Sequence, residues 1–289
     1  MNASRATVRA ARGFGLLELL VTLGLTTLVL GAIMMTLYRS TGATTRISDV
    51  ADVRQNARTG VQLIEREIRM AGSGWGRIPV YGNDSAGAAD TLQAVLPGYA
   101  GPGVSDSLVL VGAWQTATAT SAPMLNASSA LVVQSVAGFN VGDLVLVTNG
   151  SSAHMLQVTG TDAVAHRIDH GLGSPYNGAG GLAPTWPPGG YGTGANVYKL
   201  TISSYTFDPV TLRRPALMRH EYGQPPQVVA YNVSGFRVWY QLDDGSWTRH
   251  PPNMASVVRV SPVVLTSVSS PGRPALVDSV WAAVQPRTF

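Results

Sequence analysis

Residues 14–38 form an apolar run of 25 residues in which Glu18 is the one charged side chain. As an α-helix this run would measure roughly 37 Å, enough to cross a hydrocarbon core of ~30 Å. Polar residues then return, but a helical period continues. Ile47, Val50, Val53, Ala57, Val61, Ile64 and Ile68 recur at spacings of three and four, which places them on one helix face. Charged and amide side chains between Arg46 and Arg69 fill the other faces and read as a solvated surface with i,i+4 pairs such as Glu65–Arg69. Gly42 and Gly60 are weak points within this period. Gly72 and Gly74 supply a stop, with Arg69 in the last turn, where a cation is favoured. The pattern predicts a membrane-spanning helix over residues 14–38 and an amphipathic extension over 39–71. If unbroken, the two make a rod of roughly 87 Å.

Beyond the glycines the period changes. Residues 72–106 are rich in Gly, Ala, Pro and Asp and read as a connecting loop. Strand-like runs come next, at 107–114, 130–137, 143–148, 154–160, 198–207, 212–219, 228–231, 235–242, 257–266 and 276–284. Phe236, Val238, Tyr240 and Leu242 alternate with Arg237, Trp239 and Gln241. Asp243-Asp244-Gly245-Ser246 then signals a turn into a return strand that starts at Trp247. The Gly/Pro-rich stretch 171–194 reads as an ordered insertion loop or a mobile flap. The expected class is α+β: a long N-terminal helix, half membrane-spanning and half amphipathic, packed on an antiparallel β-rich domain over 107–289.

Composition narrows the function. Of 289 residues 45% are apolar and only 12% charged, which suits a packed core and not a disordered chain. The formal charge of +4 rests on the first thirteen residues, which carry Arg5, Arg9 and Arg12 and no acid; without them 17 basic residues face 16 acidic ones. Nucleic acid is therefore not expected as a partner. The absence of cysteine excludes disulfides, thiolate catalysis and cysteine–zinc sites. Catalytic constellations are not evident. His166 and His170 with Asp169 would stand too far apart along a strand to share a metal. Asp243-Asp244 lacks the further oxygen ligands of a calcium loop, and neither a nucleophile elbow nor a phosphate-binding loop is present. No enzymatic activity, metal or cofactor is expected.

Glu18 is the informative residue. A carboxylate costs ~2.5–3.5 kcal/mol at the centre of a membrane helix and less near its end. The basic leader before the run places residues 1–13 on the cytoplasmic side and the remainder beyond Tyr38 outside. A secretory signal would have a 7–15-residue apolar core and a nearby cleavage site, whereas Ser40-Thr41-Gly42-Ala43 lies too far downstream. A plain signal anchor accounts for the length but not for Glu18 or for the Gly13-Phe14 junction.

Gly13-Phe14-x-x-x-Glu18 behind a short basic leader resembles the class III signal of type IV pilins and pseudopilins. Gly15 departs from the Ser or Thr usual after the Phe. The resemblance implies cleavage by a prepilin peptidase between Gly13 and Phe14 and N-methylation of Phe14. It also gives Glu18 a role in subunit register, opposite the terminal amine of a neighbour. Leu63-Ile64-Glu65-Arg66-Glu67-Ile68-Arg69-Met70-Ala71-Gly72 is similar to the end of the long helix in PilW-like minor pilins. Gly142-Asp143-Leu144-Val145-Leu146-Val147 resembles a strand of the same group. The likeness implies a minor pilin that primes assembly of a type IV pilus and stands at its tip. It would be held first in the inner membrane with its C-terminal domain periplasmic. Its implied partners are other minor pilins, the major pilin, the prepilin peptidase and the inner-membrane assembly platform. A J-type pseudopilin of type II secretion is the nearest alternative. A signal-anchored envelope enzyme or binding domain is the alternative of another class.

Overall fold

The computed structural model describes residues 15–115, 117–178, 182–210, 214–270 and 273–286. The leader with Gly13 and Phe14 lies outside the described residues. The chain divides into two units, the first ending at Ala51 and the second beginning at Asp52. Helix α1, Leu16–Met70, is one continuous element of 55 residues that contributes to both. The boundary falls within the stretch expected to be a single amphipathic extension. Ile47, expected on the core face, is 71% exposed, and burial starts at Val53.

Within the second unit the predicted face is buried. Val53, Ala57, Val61, Ile64, Ile68 and Ala71 are all buried, and from Ala57 onward they enter the larger of two apolar cores. Gly60 has a packing role: a Cβ there would lie 3.1 Å from Cγ1 of Val229. At the helix end Gly72 adopts the left-handed conformation (φ 76°), which Gly takes without steric cost, and its N–H donates to the Val111 carbonyl at 2.8 Å. The helix is thereby fastened to a strand at its last turn. Gly112 permits this approach, because a Cβ at 112 would sit 2.8 Å from the Met70 carbonyl oxygen and collide with the Trp114 ring.

The fold is α+β, and the described residues of the second unit form four sheets. A five-stranded sheet runs Gln227–Tyr231, Ala216–Glu221, Thr201–Asp208, Ser107–Gly112, Val95–Gly98. A four-stranded sheet runs Trp247–Thr248, Val233–Leu242, Val257–Ser270, Arg273–Trp281. A six-stranded sheet runs Ala89–Leu92, Val80–Asn83, Ala153–Gln157, Leu144–Thr148, Asn196–Lys199, Ala117–Ala119. A small fourth sheet holds Leu131–Val132, Arg167–Asp169 and Gly160–Asp162.

The six-stranded sheet is a wall between two cores. Leu144 and Leu146 face the larger core, and Val145 and Val147 face a second one built with Met124, Leu131, Ile168 and Tyr191. Burial on both faces explains why this strand is apolar throughout instead of alternating.

The structure departs from the sequence expectations at several points. Residues 72–106 are more than a loop, since they supply Val80–Asn83, Ala89–Leu92 and Val95–Gly98. The sheets are not wholly antiparallel: Val80–Asn83 pairs parallel with Ala153–Gln157. The run 198–207 is two strands in different sheets. The chain passes between them at Leu200, whose N–H donates to the Leu144 carbonyl at 2.8 Å. The strand expected from 212 begins at Ala216, residues 211–213 lying outside the described ones. The described part of the 171–194 stretch is an ordered cover of the second core. Leu182 and Tyr191 are fully buried there, and two short 3₁₀ turns, Pro175–Asn177 and Ala183–Thr185, shape it.

Candidate functional site

The first turn of α1 carries Glu18, exposed and surrounded by exposed leucines. Leu16–Thr41 is long and apolar enough to cross a membrane: 26 residues with mean hydropathy 2.1 and none of that window buried. Its threonines do not compromise this character. The Thr22, Thr26 and Thr36 hydroxyls donate to the carbonyls of Glu18, Thr22 and Ala32 at 2.6–2.9 Å, so each is satisfied within the helix. Among the described residues no ion pair engages Glu18. Of the predicted site residues, then, Glu18 is on view, while Gly13 and Phe14 lie outside the described residues.

The other end of α1 shows the contrasting case. The sequence pattern puts Glu67 on the solvated face, but it is buried. It comes three positions after Ile64 and directly before Ile68, so its side chain falls on the core-facing arc. The Arg219 guanidinium donates to its Oε1 from Nε at 2.9 Å and from Nη2 at 2.8 Å, and the Tyr205 hydroxyl donates to its Oε2 at 2.8 Å. Arg219 also reaches Ser203 Oγ at 2.9 Å and Glu221 Oε2 at 2.7 Å. Burial works against the Arg219 charge, yet the carboxylates around it hold its pKa above the ordinary value. Burial beside Glu67 pushes the Tyr205 phenol up. This network pins helix to sheet with its charges paired, which suits a structural clip. The signal available in sequence was the phase of Glu67 relative to Ile64 and Ile68.

A second ion pair, with its carboxylate buried, braces the four-stranded sheet. Asp106, outside every strand, accepts from Arg249 at 2.6 Å and from the Val238 N–H at 2.9 Å. The Arg249 guanidinium lies 4.9 Å from the Tyr99 ring centroid, a cation–π contact.

The histidines do not assemble. His166 is exposed in a left-handed turn (φ 49°), while His170 is buried and bonds the Ser129 carbonyl at 2.8 Å. Between them Arg167 pairs with Asp169 at 2.8 Å. His154 is fully buried on the six-stranded sheet. Its Nδ1 lies 2.6 Å from the Tyr191 hydroxyl and its Nε2 3.0 Å from the Thr185 hydroxyl, with the Trp186 ring packed alongside. Burial pushes its pKa down to about 4, so it is neutral at physiological pH. Both ring nitrogens are engaged in closing the 171–194 cover, an arrangement that leaves no lone pair for a substrate. Among the described residues no group of three or more His, Asp or Glu side chains is placed to hold a metal ion. Asp243-Asp244-Gly245-Ser246 is the hairpin turn expected: Gly245 has φ 84° and the Ser246 N–H donates to Asp244 Oδ1 at 2.8 Å. The Ser246 bonds hold the Asp244 carboxyl below its usual range.

No family model matches this chain, and neither does any curated protein or solved structure.

Proposed function

We infer that this chain is a prepilin-like subunit, similar to PilW-like minor pilins, that acts by assembly and not by turnover. The observation that carries the reading is Glu18: one charged residue, in the first turn of a fully exposed apolar helix of membrane length, without an ion-pair partner among the described residues. In this reading prepilin peptidase cuts between Gly13 and Phe14, and Phe14 becomes the methylated terminus. A filament then replaces lipid around the helix, with the terminal amine of a neighbour meeting Glu18. Opposite charges attract strongly in a low dielectric but lose hydration, so the pair's main contribution is the axial register at which a subunit docks.

The subunit first sits in the inner membrane with its β-rich domain periplasmic, where minor pilins, the major pilin and the assembly platform are its partners. The second unit offers a reason for priming and a tip position. It carries four sheets around two cores, a bulk that is hard to repeat at every step of a helical shaft.

The test is the N-terminal mass of the protein from cells with and without prepilin peptidase. The expected result is a terminus at methylated Phe14 that disappears with the peptidase. A terminus at Met1 in both, or one near Ala43, overturns the reading and leaves a signal-anchored or secreted β-rich domain.

A further inference from the structure

The outer face of the four-stranded sheet carries an aromatic row that packing covers only in part. Residues opposite one another in an antiparallel pair share a face, as do residues two apart along a strand. The register joins Trp247 to Gln241, Gln241 to Arg259, Trp239 to Ser261, Arg237 to Val263 and Val263 to Trp281. Phe236, Val238 and Tyr240 point the other way and are buried. Trp239, Trp247 and Trp281 therefore stand on one outward face, 36%, 43% and 64% exposed. Three of the chain's six tryptophans lie there. A row of exposed tryptophans on a sheet is costly to keep in water and marks a recognition surface.

Two further observations identify the chemistry. First, Arg237 and Arg259 lie on this face, on which the strands place no acid, and Asp243 comes in the turn that follows. Arg237 and Arg259 have no ion-pair partner among the described residues. The only acid in these four strands, Asp278, lies opposite Thr266 on the inner face and pairs with Arg54. Second, the row ends in a hollow of ≈ 310 Å³ in which Gln241, Asp243, Arg259 and Gln285 stand with Leu242 and Val258. Its amide, carboxylate and guanidinium groups supply donors and acceptors in planar pairs. Gln241, Arg237 and the aliphatic Val263 stand beside the aromatics, so the face mixes polar and apolar side chains, and its guanidinium groups and the polar groups of the hollow favour an anionic, hydroxyl-rich partner. The row crosses all four strands, about 14 Å, which is longer than a single sugar ring.

We propose that this face binds an acidic polysaccharide, a chain of uronate-type sugars. The apolar faces of successive rings stack on Trp247, Trp239 and Trp281. Arg237 and Arg259 pair with the carboxylates, and the hollow takes the hydroxyls of one residue, with Asp243 accepting from them. The proposal is independent of the filament reading, since it concerns a face that any anchored form of the chain would present.

The test uses the full-length protein in detergent micelles and three polymers: polygalacturonate, neutral dextran and polyglutamate. Polygalacturonate is expected to bind about tenfold more tightly than dextran, with polyglutamate weaker still. The double variant Trp239→Ala/Trp281→Ala should lose about tenfold or more toward polygalacturonate. Arg237→Gln/Arg259→Gln should bring polygalacturonate down to the dextran level and flatten the salt dependence. Near-ultraviolet circular dichroism checks the fold. If the double variant does not fold, Trp281→Ala alone, at the most exposed position, should still weaken binding about threefold. Equal binding of polyglutamate and polygalacturonate, no binding of any polymer, or binding unmoved by the tryptophan changes overturns the proposal. None of these outcomes alters the mass expected for the N-terminus.

Discussion

Glu18 and Glu67 sit on the same helix and have opposite circumstances. Glu67 is buried and meets Arg219 and Tyr205, so its charge is compensated inside the fold. Glu18 is exposed among leucines, and no ion pair among the described residues engages it. One residue type therefore reports two needs. A compensated carboxylate says where the chain holds itself together, and an uncompensated one on an apolar surface is the place proposed above for a contact with a neighbour. The tryptophans divide in the same way: Trp186 packs on His154 and closes a core, while Trp239, Trp247 and Trp281 face water.

Breaking the compensated side of this comparison should have the largest effect on stability. Arg219→Ala strands Glu67 in the core and is expected to cost about 3–5 kcal/mol in chemical denaturation. A change below about 1 kcal/mol would mean that Glu67 is hydrated in solution. Next comes acid. His154 has a folded pKa of about 4 against an ordinary value of 6.5. Below pH 6.5 the unfolded chain takes up a proton that the native state refuses, so this group's contribution to stability is complete above pH 6.5. It then falls by about 3 kcal/mol as the pH drops to about 4, with no further loss from this group below. Denaturation midpoints at about pH 7 and about pH 4.5 measure the fall, and His154→Phe should remove that slope. Gly112→Ala should cost about 1–3 kcal/mol, because the new methyl meets the Met70 carbonyl and the Trp114 ring. Thermal unfolding would show it, and an unchanged midpoint would mean that the helix end is loosely held. Arg54→Ala breaks an exposed pair with Asp278 and should cost less than about 0.5 kcal/mol.

Glu18→Ala sharpens the contrast from the other side. It should leave the denaturation midpoint of the second unit unchanged, yet sharply reduce recovery of the protein with sheared filaments. Equal recovery would remove the register role assigned to Glu18.

Some of this architecture is legible in the sequence, and the rest is hidden for physical reasons. The membrane-length run, the helix face from Val53 to Ile68 and the strands around Leu144 and Tyr240 each come from a repeated period or a sustained apolar run. The strands Val80–Asn83, Ala89–Leu92 and Val95–Gly98 are four residues each, with Gly and Pro among them. At that length no alternation can be told from a loop, and their pairing depends on distant partners such as Ala153. Ile47 keeps the helical period but lies before the point where the core begins. Glu67 is hidden because a charge invites a solvent-facing reading, and only the position of Arg219 reverses it. Among the functional candidates, Glu18 stands out because it breaks a pattern. The tryptophan face does not, because strand alternation gives a face its composition but not its neighbours; register is needed to bring Trp247, Trp239 and Trp281 together.

The helix end also has a mechanical meaning. A force drawn along the axis of the Asp52–Met70 stretch cannot peel its attachments one at a time. It must slide the row from Val53 to Ile68 out of its sockets, while the Glu67–Arg219 clip and the Gly72 N–H to Val111 bond are strained in the same instant. Attachments loaded in parallel share tension. A helix end and sheet fastened in this way resist being drawn apart along that axis.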